Sequence, residues 1–361
     1  MTLLKRHIFG EFFRVFLMVI IGILAVYVCV DFLQRADSFI KYKATMLQIA
    51  LYSLYSLPAM AASTLPIAAL IATLLSLGNL SRHNEIIAMR AGGVSIFAVI
   101  APVLLGGILI SAFGFINDEY IMPAYTARAN YIKSIQIEKK QQRVVFQQRK
   151  LWLRGPENSI ANIDLISPDR SEMIGVNIYM LNPDYTVRER IKAQSLRWEN
   201  GAWRFKQSMK YILGNDTVTA QSADDEPFNL VDSPDDLGMI AKSSEEMNFR
   251  ELWDYVKRLK VHGYKATRYE VDLYSKLALP LASMLMVMIA TPLSVQQARS
   301  GGASKGIALA VLIAFIYYGL MSIGTALGRS GALPPLESAW LANVFFAVAS
   351  AFILFRMQRR I

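Results

Sequence analysis

Residues 96–119 read IFAVIAPVLLGGILISAFGFINDE. An uncharged apolar run ends at Ile116, and Asn117-Asp118-Glu119 opens a polar block that continues to Arg268, about 150 residues. A run of about 20 apolar residues is enough to cross a hydrocarbon core of about 30 Å. Two more runs of that kind precede this one, Phe13–Leu33 and Leu47–Leu77, and three follow the polar block, Leu273–Val295, Ile307–Leu327 and Ala339–Phe355. The layout is three spans, a water-soluble insertion, then three spans. Six crossings put both termini on one side and the insertion on the other. The second run is longer than one crossing needs, so it must tilt, bend or project, with Pro58 and Pro66 as the bends.

Orientation follows from the basic residues in short flanks. Lys5, Arg6, Arg14, Arg82, Arg90, Arg299, Lys305, Arg356, Arg359 and Arg360 collect on one side, against Arg35, Lys41, Lys43 and Arg329 on the other. The termini are therefore expected in the cytoplasm and the insertion outside. The first run exceeds a signal-peptide core and no small-x-small cleavage site follows it. Val28 stands where a lipoprotein box before Cys29 needs a small residue. A single cysteine excludes an internal disulfide, so the insertion must be held by its own core. The net charge of +10 is explained mostly by the cytoplasmic flanks, not by nucleic-acid binding.

Within the insertion the pattern from Arg143 to Val231 is β. Val144, Phe146, Leu151, Leu153, Ile163, Leu165, Val176, Ile178 and Met180 recur at strand spacing. Glu199-Asn200-Gly201-Ala202 lies between two strand-like runs, and Asn-Gly suits the two positive-φ positions of a type I′ hairpin turn. Pro156, Pro168, Pro183 and Asp184 punctuate the rest. Several short strands at regular spacing predict a sandwich or jelly roll. After an acidic loop (Asp224–Glu226, Asp232–Asp236) the pattern turns helical. Asn248 caps, Glu251 stands three residues on, Leu252, Tyr255, Val256 and Leu259 share a face, and Gly263 stops the helix. That helix, about 249–262, either lies on the membrane surface or packs on the β domain.

No active-site pattern is present. The chain has no P-loop, no Gly-x-Ser-x-Gly elbow, and its histidines (His7, His83, His262) are too scattered for a His-Glu-x-x-His metal pair. Ser159 and Ser167 read as turn hydroxyls. No catalytic residue, metal ligand or cofactor site is assigned.

Four features remain. The segment Ser81–Gly93 reads as a short cytoplasmic helix ended by Gly92-Gly93. It is either a tie between two spans or a helix that docks on a partner, with Glu85, Ile86 and Arg90 as contacts. Arg35, Lys41 and Lys43 run against the positive-inside bias at the outer end of the first span. They meet either headgroup phosphates or the phosphates of an anionic amphiphile, unless Asp31 pairs with Arg35 along the helix. Lys276 lies inside the fourth span, where charge marks function by default, or pairs with Asp272. The fifth span carries Gly319, Ser322, Gly324, Thr325 and Gly328 beside Tyr317, Tyr318 and Met321, a face that suits either close helix packing or acyl chains.

Taken in order, these segments resemble the lipopolysaccharide export permeases LptF and LptG, with the nearer likeness to LptG. The likeness runs from about residue 5 to the C-terminus. It is carried by Asn84-Glu-Ile-Ile-Ala-Met-Arg-Ala-Gly-Gly93, Asp118-Glu-Tyr-Ile-Met-Pro123, Arg268-Tyr-Glu-Val-Asp-Leu-Tyr-Ser-Lys276 with Leu279-Pro280, Ala290-Thr-Pro-Leu293, and Gly331-Ala-Leu-Pro-Pro335 with Trp340. Leu151-Trp152, Gly175–Leu181 and Trp203-Arg204 in the insertion favour the LptG side.

The resemblance implies an α-helical membrane protein with six transmembrane helices and an inserted periplasmic all-β jelly-roll-like domain. Residues 1–118 would hold spans one to three with a coupling helix at about 81–92, residues 119–268 the periplasmic domain, and 269–361 spans four to six. It implies a pseudo-symmetric heterodimer with an LptF-like permease and two LptB-like ATPase subunits that bind the ATP and magnesium. An LptC-like single-span protein would lie beside the first helix, with an LptA-like bridge above the jelly roll. Lipopolysaccharide would leave the outer leaflet of the inner membrane through a cavity gated by the first and fifth helices. Glu85 matches the acidic residue of the family's coupling helix. The family carries basic residues near the outer end of the first helix that meet lipid A phosphates. Arg35, Lys41 and Lys43 lie in that region but do not fall cleanly on the family's positions, with Asp31 and Asp37 among them, and Arg128 and Lys133 above the third span are further candidates. Two other classes are compatible with the layout. One is a mechanotransmitting or lipoprotein-release type permease, usually of four spans. The other is a membrane-anchored periplasmic binding or sensor module without transport.

Overall fold

A computed structural model describes residues 3–138, 144–147, 150–155, 157–167, 170–214, 217–228, 230–231, 234, 237, 243–261, 265–297 and 303–359. Arg143, Pro156, Pro168, Asp232, Asp236, His262, Gly263, Arg299 and Arg360 fall outside them, as do the side chains of Lys305 and Arg359. The chain divides into two compact units, residues 1–139 with 244–252 and 267–361, and residues 140–243 with 253–266.

The first unit is helical. Its elements are α1 (Leu3–Lys41), α2 (Met46–Arg82), α3 (Glu85–Ala91), α4 (Ile96–Ile116) and α5 (Met122–Tyr131). They continue, after the insertion, with the start of α6 (Phe249–Val261), then α7 (Thr267–Gln297), α8 (Ala303–Ser330) and α9 (Pro335–Arg359). Six of the described helical stretches are long and apolar enough to cross a membrane, α4 and α5 forming one of them. In hydrocarbon a backbone must satisfy its own hydrogen bonds, which is why apolar runs of this length fold as helices. The helices overrun the apolar runs because polar end residues cap and extend them. Thr45 caps α2 through Gln48, and Ser95 caps α4 through the Ala98 amide. The second span is a single helix of 37 residues that keeps Pro58 and Pro66 inside it.

Between α4 and α5 the ladder widens into a π-helical turn, Asn117–Ile121, and again after α5 at Ile132–Ile137. Pro123 has no N–H to give the Glu119 carbonyl, so the ordinary spacing fails just before it. The Met122 amide instead reaches back to the Asn117 carbonyl. Such bulges frequently mark functional positions, and this one carries Asp118.

Two larger apolar cores hold the bundle, with a smaller one of Phe39, Tyr52, Ala129, Ile132 and Ile137 near the α1–α2 turn. Ile8, Phe12, Phe16 and Ile20, a stripe of every fourth residue on α1, pack with Ala68, Ala72, Val99 and Val103. Gly106 lets α4 approach so closely that an added Cβ would collide with the Phe12 ring. Leu70, Leu74, Met286, Ala290, Tyr317 and Phe346 join α2, α7, α8 and α9 in the second core. Other apolar residues of α1 and α8 are uncovered: Met18, Ile21, Val26 and Leu33 on α1, and Val311, Phe315 and Ile323 on α8, are exposed.

The second unit is an antiparallel sheet of β1 (Val144–Gln147), β2 (Lys150–Arg154), β3 (Ser159–Ile163), β4 (Leu165–Ile166), β5 (Glu172–Leu181), β6 (Val187–Glu199), β7 (Ala202–Leu213) and β8 (Val218–Ser222). Each strand pairs with its neighbour in sequence except β3 and β4, which do not pair with each other and both pair with β5 on one edge. The insertion is β, as the sequence indicates. The double Greek-key order of a jelly roll is not found among the described strands, which form an up-and-down meander. Tight turns explain it: Asn200 (φ 52°) and Gly201 (φ 79°) make the expected I′ hairpin, with Trp198 opposite Trp203. Alternate residues of β5 are buried, and one core runs from Leu151 through Val176, Ile191, Trp203 and Phe205 to Leu237.

The Glu251 amide donates to Asn248 Oδ1 at 2.8 Å, the cap read from the sequence. Val256 and Leu259 are buried and the Tyr255 hydroxyl donates to the Ile166 carbonyl, so this part of α6 packs within the β unit.

Candidate functional site

Where α1 ends, α2 begins, α5 follows α4, and α7 and α8 face each other, the helical unit holds a cavity of about 540 Å³. From α1 come Tyr27, Asp31 and Arg35; from α2, Tyr52, Met60 and Ser63; from the π turn and α5, Asp118 and Thr126. Ser244 and Glu245 join them, with Asp272, Lys276 and Leu279 of α7 and Met321, Thr325 and Arg329 of α8. Charged groups share the lining with methionines and a leucine.

Of the basic residues singled out in the sequence, Arg35 and Lys276 line this cavity, as does Met321. Arg35 Nε donates to Asp31 Oδ1 at 2.9 Å and its guanidinium stands 5.3 Å from the Tyr52 ring centre. Its charge is thus shared with a neighbour one turn back, the helical pairing foreseen as the alternative. Lys276 does not pair with Asp272. Asp272 is occupied by Arg329, at 2.7 Å, and by the Ser244 hydroxyl, also at 2.7 Å. Among the described residues Lys276 makes no ion pair, although Asp118, Glu119, Glu245 and Asp272 lie within electrostatic range of it. Asp118, 7 % exposed, accepts from the Asn117 amide at 3.3 Å, and that same amide donates to the Pro58 carbonyl.

Lys41 and Lys43 are exposed at the α1–α2 turn, Lys41 beside the Tyr42 ring, and neither lines the cavity. Arg128 is exposed on α5 and Lys133 half-buried in the second π turn, also outside it. Tyr317 is 1 % exposed and its hydroxyl donates to Asn343 Oδ1 at 2.7 Å. Tyr318 donates to the Ser63 carbonyl at 2.6 Å. Both tyrosines therefore tie α8 into the bundle; only Met321 of that trio reaches the cavity.

Sequence reasoning passed over Asp118 and Thr126 as site residues and used Asp272 and Arg329 only as a pairing option and a topology count. Intramembrane acids are costly and so informative, and that signal could have found Asp118. Its meeting with Lys276, 158 positions away, is set by the packing of α7 against α2 and α4. Among the described residues no group of three His, Cys, Asp or Glu is placed to hold a metal ion.

A second site lies at the α2–α4 connection. Asn84 adopts φ 59° before α3, and Gly93, at φ 83°, lets the chain turn into α4. Glu85 Oε2 lies 3.6 Å from His7 Nε2, both side chains substantially exposed. Ile86 is 3 % exposed and packs into the first core, whereas Ile87 is 51 % exposed. Ile86 thus fixes α3 to the bundle, and Ile87 is the isoleucine that α3 leaves exposed. Arg90 is exposed.

The sequence model of the lipopolysaccharide export system permease family LptF/LptG matches residues 6–356. The chain is 25 % identical to the lipopolysaccharide export system permease protein LptG of Escherichia coli K12 over 369 aligned positions, covering 98 % of each chain. It is 20 % identical to the LptG protein of Haemophilus influenzae, over 98 % of this chain and 97 % of that one.

Proposed function

We propose, since this chain belongs to the LptF/LptG family of lipopolysaccharide export permeases, that it is the LptG-type permease subunit of an ATP-driven exporter in the bacterial inner membrane. It is a transport subunit rather than a catalyst. The observation that carries the reading is the end-to-end match with LptG relatives, which takes in both helical halves and the β insertion.

In this reading the termini and α3 are cytoplasmic and the division falls near residues 118 and 268, with a periplasmic domain between. The uncovered apolar faces of α1 and α8 would meet an LptF-like permease and an LptC-like helix, and would part to admit lipopolysaccharide from the outer leaflet. Lys41, Lys43, Arg128 and Lys133 would set up the basic field that draws its phosphates to the rim, and Arg35 and Lys276 would meet a phosphate group inside the cavity, among the carboxylates there. The chain's own β insertion would pass the lipid to an LptA-like bridge by adding strands edge to edge.

Two LptB-like ATPases would hold the ATP and magnesium. Glu85 and Arg90, with Ile87 between them, would dock in a groove of one of them. Closure of the ATPase pair needs only to favour one packing of the spans over another by a few kcal/mol. The test is co-purification of the full chain with its ATPase, comparing native protein with Glu85→Ala. Loss of the ATPase and of lipopolysaccharide-stimulated hydrolysis is expected; unchanged association and turnover would return α3 to a simple tie between spans.

A further inference from the structure

We infer that the cavity between α1, α2, α5, α7 and α8 is a headgroup site for a zwitterion, a phosphate ester bearing a primary ammonium, which is phosphoethanolamine chemistry. This rests on reading the cavity as the ligand-facing site of the chain; it does not depend on how α3 engages a partner.

The charges decide it. Arg35 with Asp31, and Arg329 with Asp272, satisfy one another at 2.9 and 2.7 Å. That leaves Lys276, Asp118 and Glu245 lining the same space, and among the described residues none of them makes an ion pair. A ligand carrying only negative charge would bring its phosphate to Lys276 beside two carboxylates. A simple cation would meet Lys276. A group with phosphate oxygens on Lys276 and an ammonium between Asp118 and Glu245 satisfies both signs, by charge-assisted hydrogen bonds.

A second observation is independent of charge. Thr126 lines the cavity, is 8 % exposed, and among the described residues its Oγ1 has no hydrogen-bond partner. A buried hydroxyl without a partner is costly, and a phosphate oxygen or an ammonium N–H would supply one. The volume of about 540 Å³ lies within the range of small-molecule sites, roughly 300–1,000 Å³. Met60, Leu279 and Met321 add apolar lining that the start of acyl chains would meet. The site also lies near the ends of the spans, with Arg35 two turns from the end of α1 and Arg329 in the last turn of α8. That is the depth of lipid headgroups.

The test is native mass spectrometry of the full chain in detergent with equal amounts of dioleoyl phosphatidylethanolamine, phosphatidylglycerol and phosphatidylcholine. Phosphatidylethanolamine should be retained about tenfold over the other two, a factor that one charge-assisted contact can supply. Asp118→Asn and Glu245→Gln should lower its retention to the level of phosphatidylcholine while leaving phosphatidylglycerol no weaker. Lys276→Met should weaken both phosphatidylethanolamine and phosphatidylglycerol. Glu245 is exposed, so its variant folds even if Asp118→Asn does not. Equal retention of phosphatidylglycerol and phosphatidylethanolamine by the native chain, or indifference to Glu245→Gln, overturns the inference while leaving the export reading intact. Competition with lipid A distinguishes the sources. Displacement only by the phosphoethanolamine-substituted form assigns the site to a modified glycolipid, and displacement by neither assigns it to membrane phospholipid. Displacement by the unsubstituted form as well would make it a plain phosphate site and overturn the zwitterion.

Discussion

Arg329, in the last turn of α8, donates to Asp272 Oδ1 at 2.7 Å, while Asp272 Oδ2 accepts from the Ser244 hydroxyl at the same distance. One carboxylate of α7 thus holds the end of the fifth span and the segment where the chain re-enters the helical unit. It also explains why Lys276, one turn further on, is left without it. Because the Arg329 side chain is half exposed, the pair is screened and is worth about 1 kcal/mol at most. A double-mutant cycle of Asp272→Asn and Arg329→Met, followed by thermal melting, should give a coupling of that size; additive effects would show the pair to be idle.

The Tyr317–Asn343 hydrogen bond is a different case, since both groups are buried and Asn343 also donates to the Ala278 carbonyl at 2.7 Å. Tyr317→Phe leaves the Asn343 oxygen without its donor, which costs about 1–3 kcal/mol. A lower melting temperature with unchanged helical content is expected, and a neutral result would mean that water or another donor replaces the hydroxyl.

On α3, adjacent isoleucines should separate stability from docking. Ile86→Ala empties part of a packed core and should cost about 2–5 kcal/mol. Ile87→Ala should leave melting unchanged and weaken association with the ATPase. If the two variants behave alike in both assays, the assignment of inward and outward faces fails.

The β unit should respond to acid through Asp224. The Ser208 hydroxyl and amide both donate to its Oδ1, at 2.8 and 2.6 Å, and hold its carboxyl below the usual carboxylate range. A depressed native value means that the stabilisation is complete above the unfolded value of about 3.9 and is lost as pH falls through the lower native one. Asp184, held low by Thr186, acts in the same direction. Melting followed from pH 7 to 3 should fall less steeply below about pH 4 in Asp224→Asn than in the native chain.

Helix packing at Gly328 is tight enough that a Cβ there would meet the Ser338 hydroxyl and the Val271 side chain. Gly328→Ala should therefore destabilise the bundle by about 1–3 kcal/mol, read by melting in detergent. An unchanged melting temperature would show that α9 can move aside.

The sequence by itself determined the six spans, the β insertion, the Asn200-Gly201 hairpin and the Asn248 cap. Each depends on residues within one turn or one apolar run of one another, so local pattern suffices. It also marked Arg35 and Lys276 as charges out of place in an apolar setting. The tertiary structure decided what those charges do. Which carboxylate takes Arg329, which lysine is left without an ion pair among the described residues, and which isoleucine of α3 faces inward depend on how whole helices pack, not on local pattern. Apolar helices are nearly featureless to one another in sequence; their rotation and register are fixed by close approaches such as Gly106 against Phe12 and Gly328 against Ser338. The strand order was equally out of reach. Alternation tells which face of a strand is buried, but only the hydrogen-bonded register shows that the described strands follow one another in a meander.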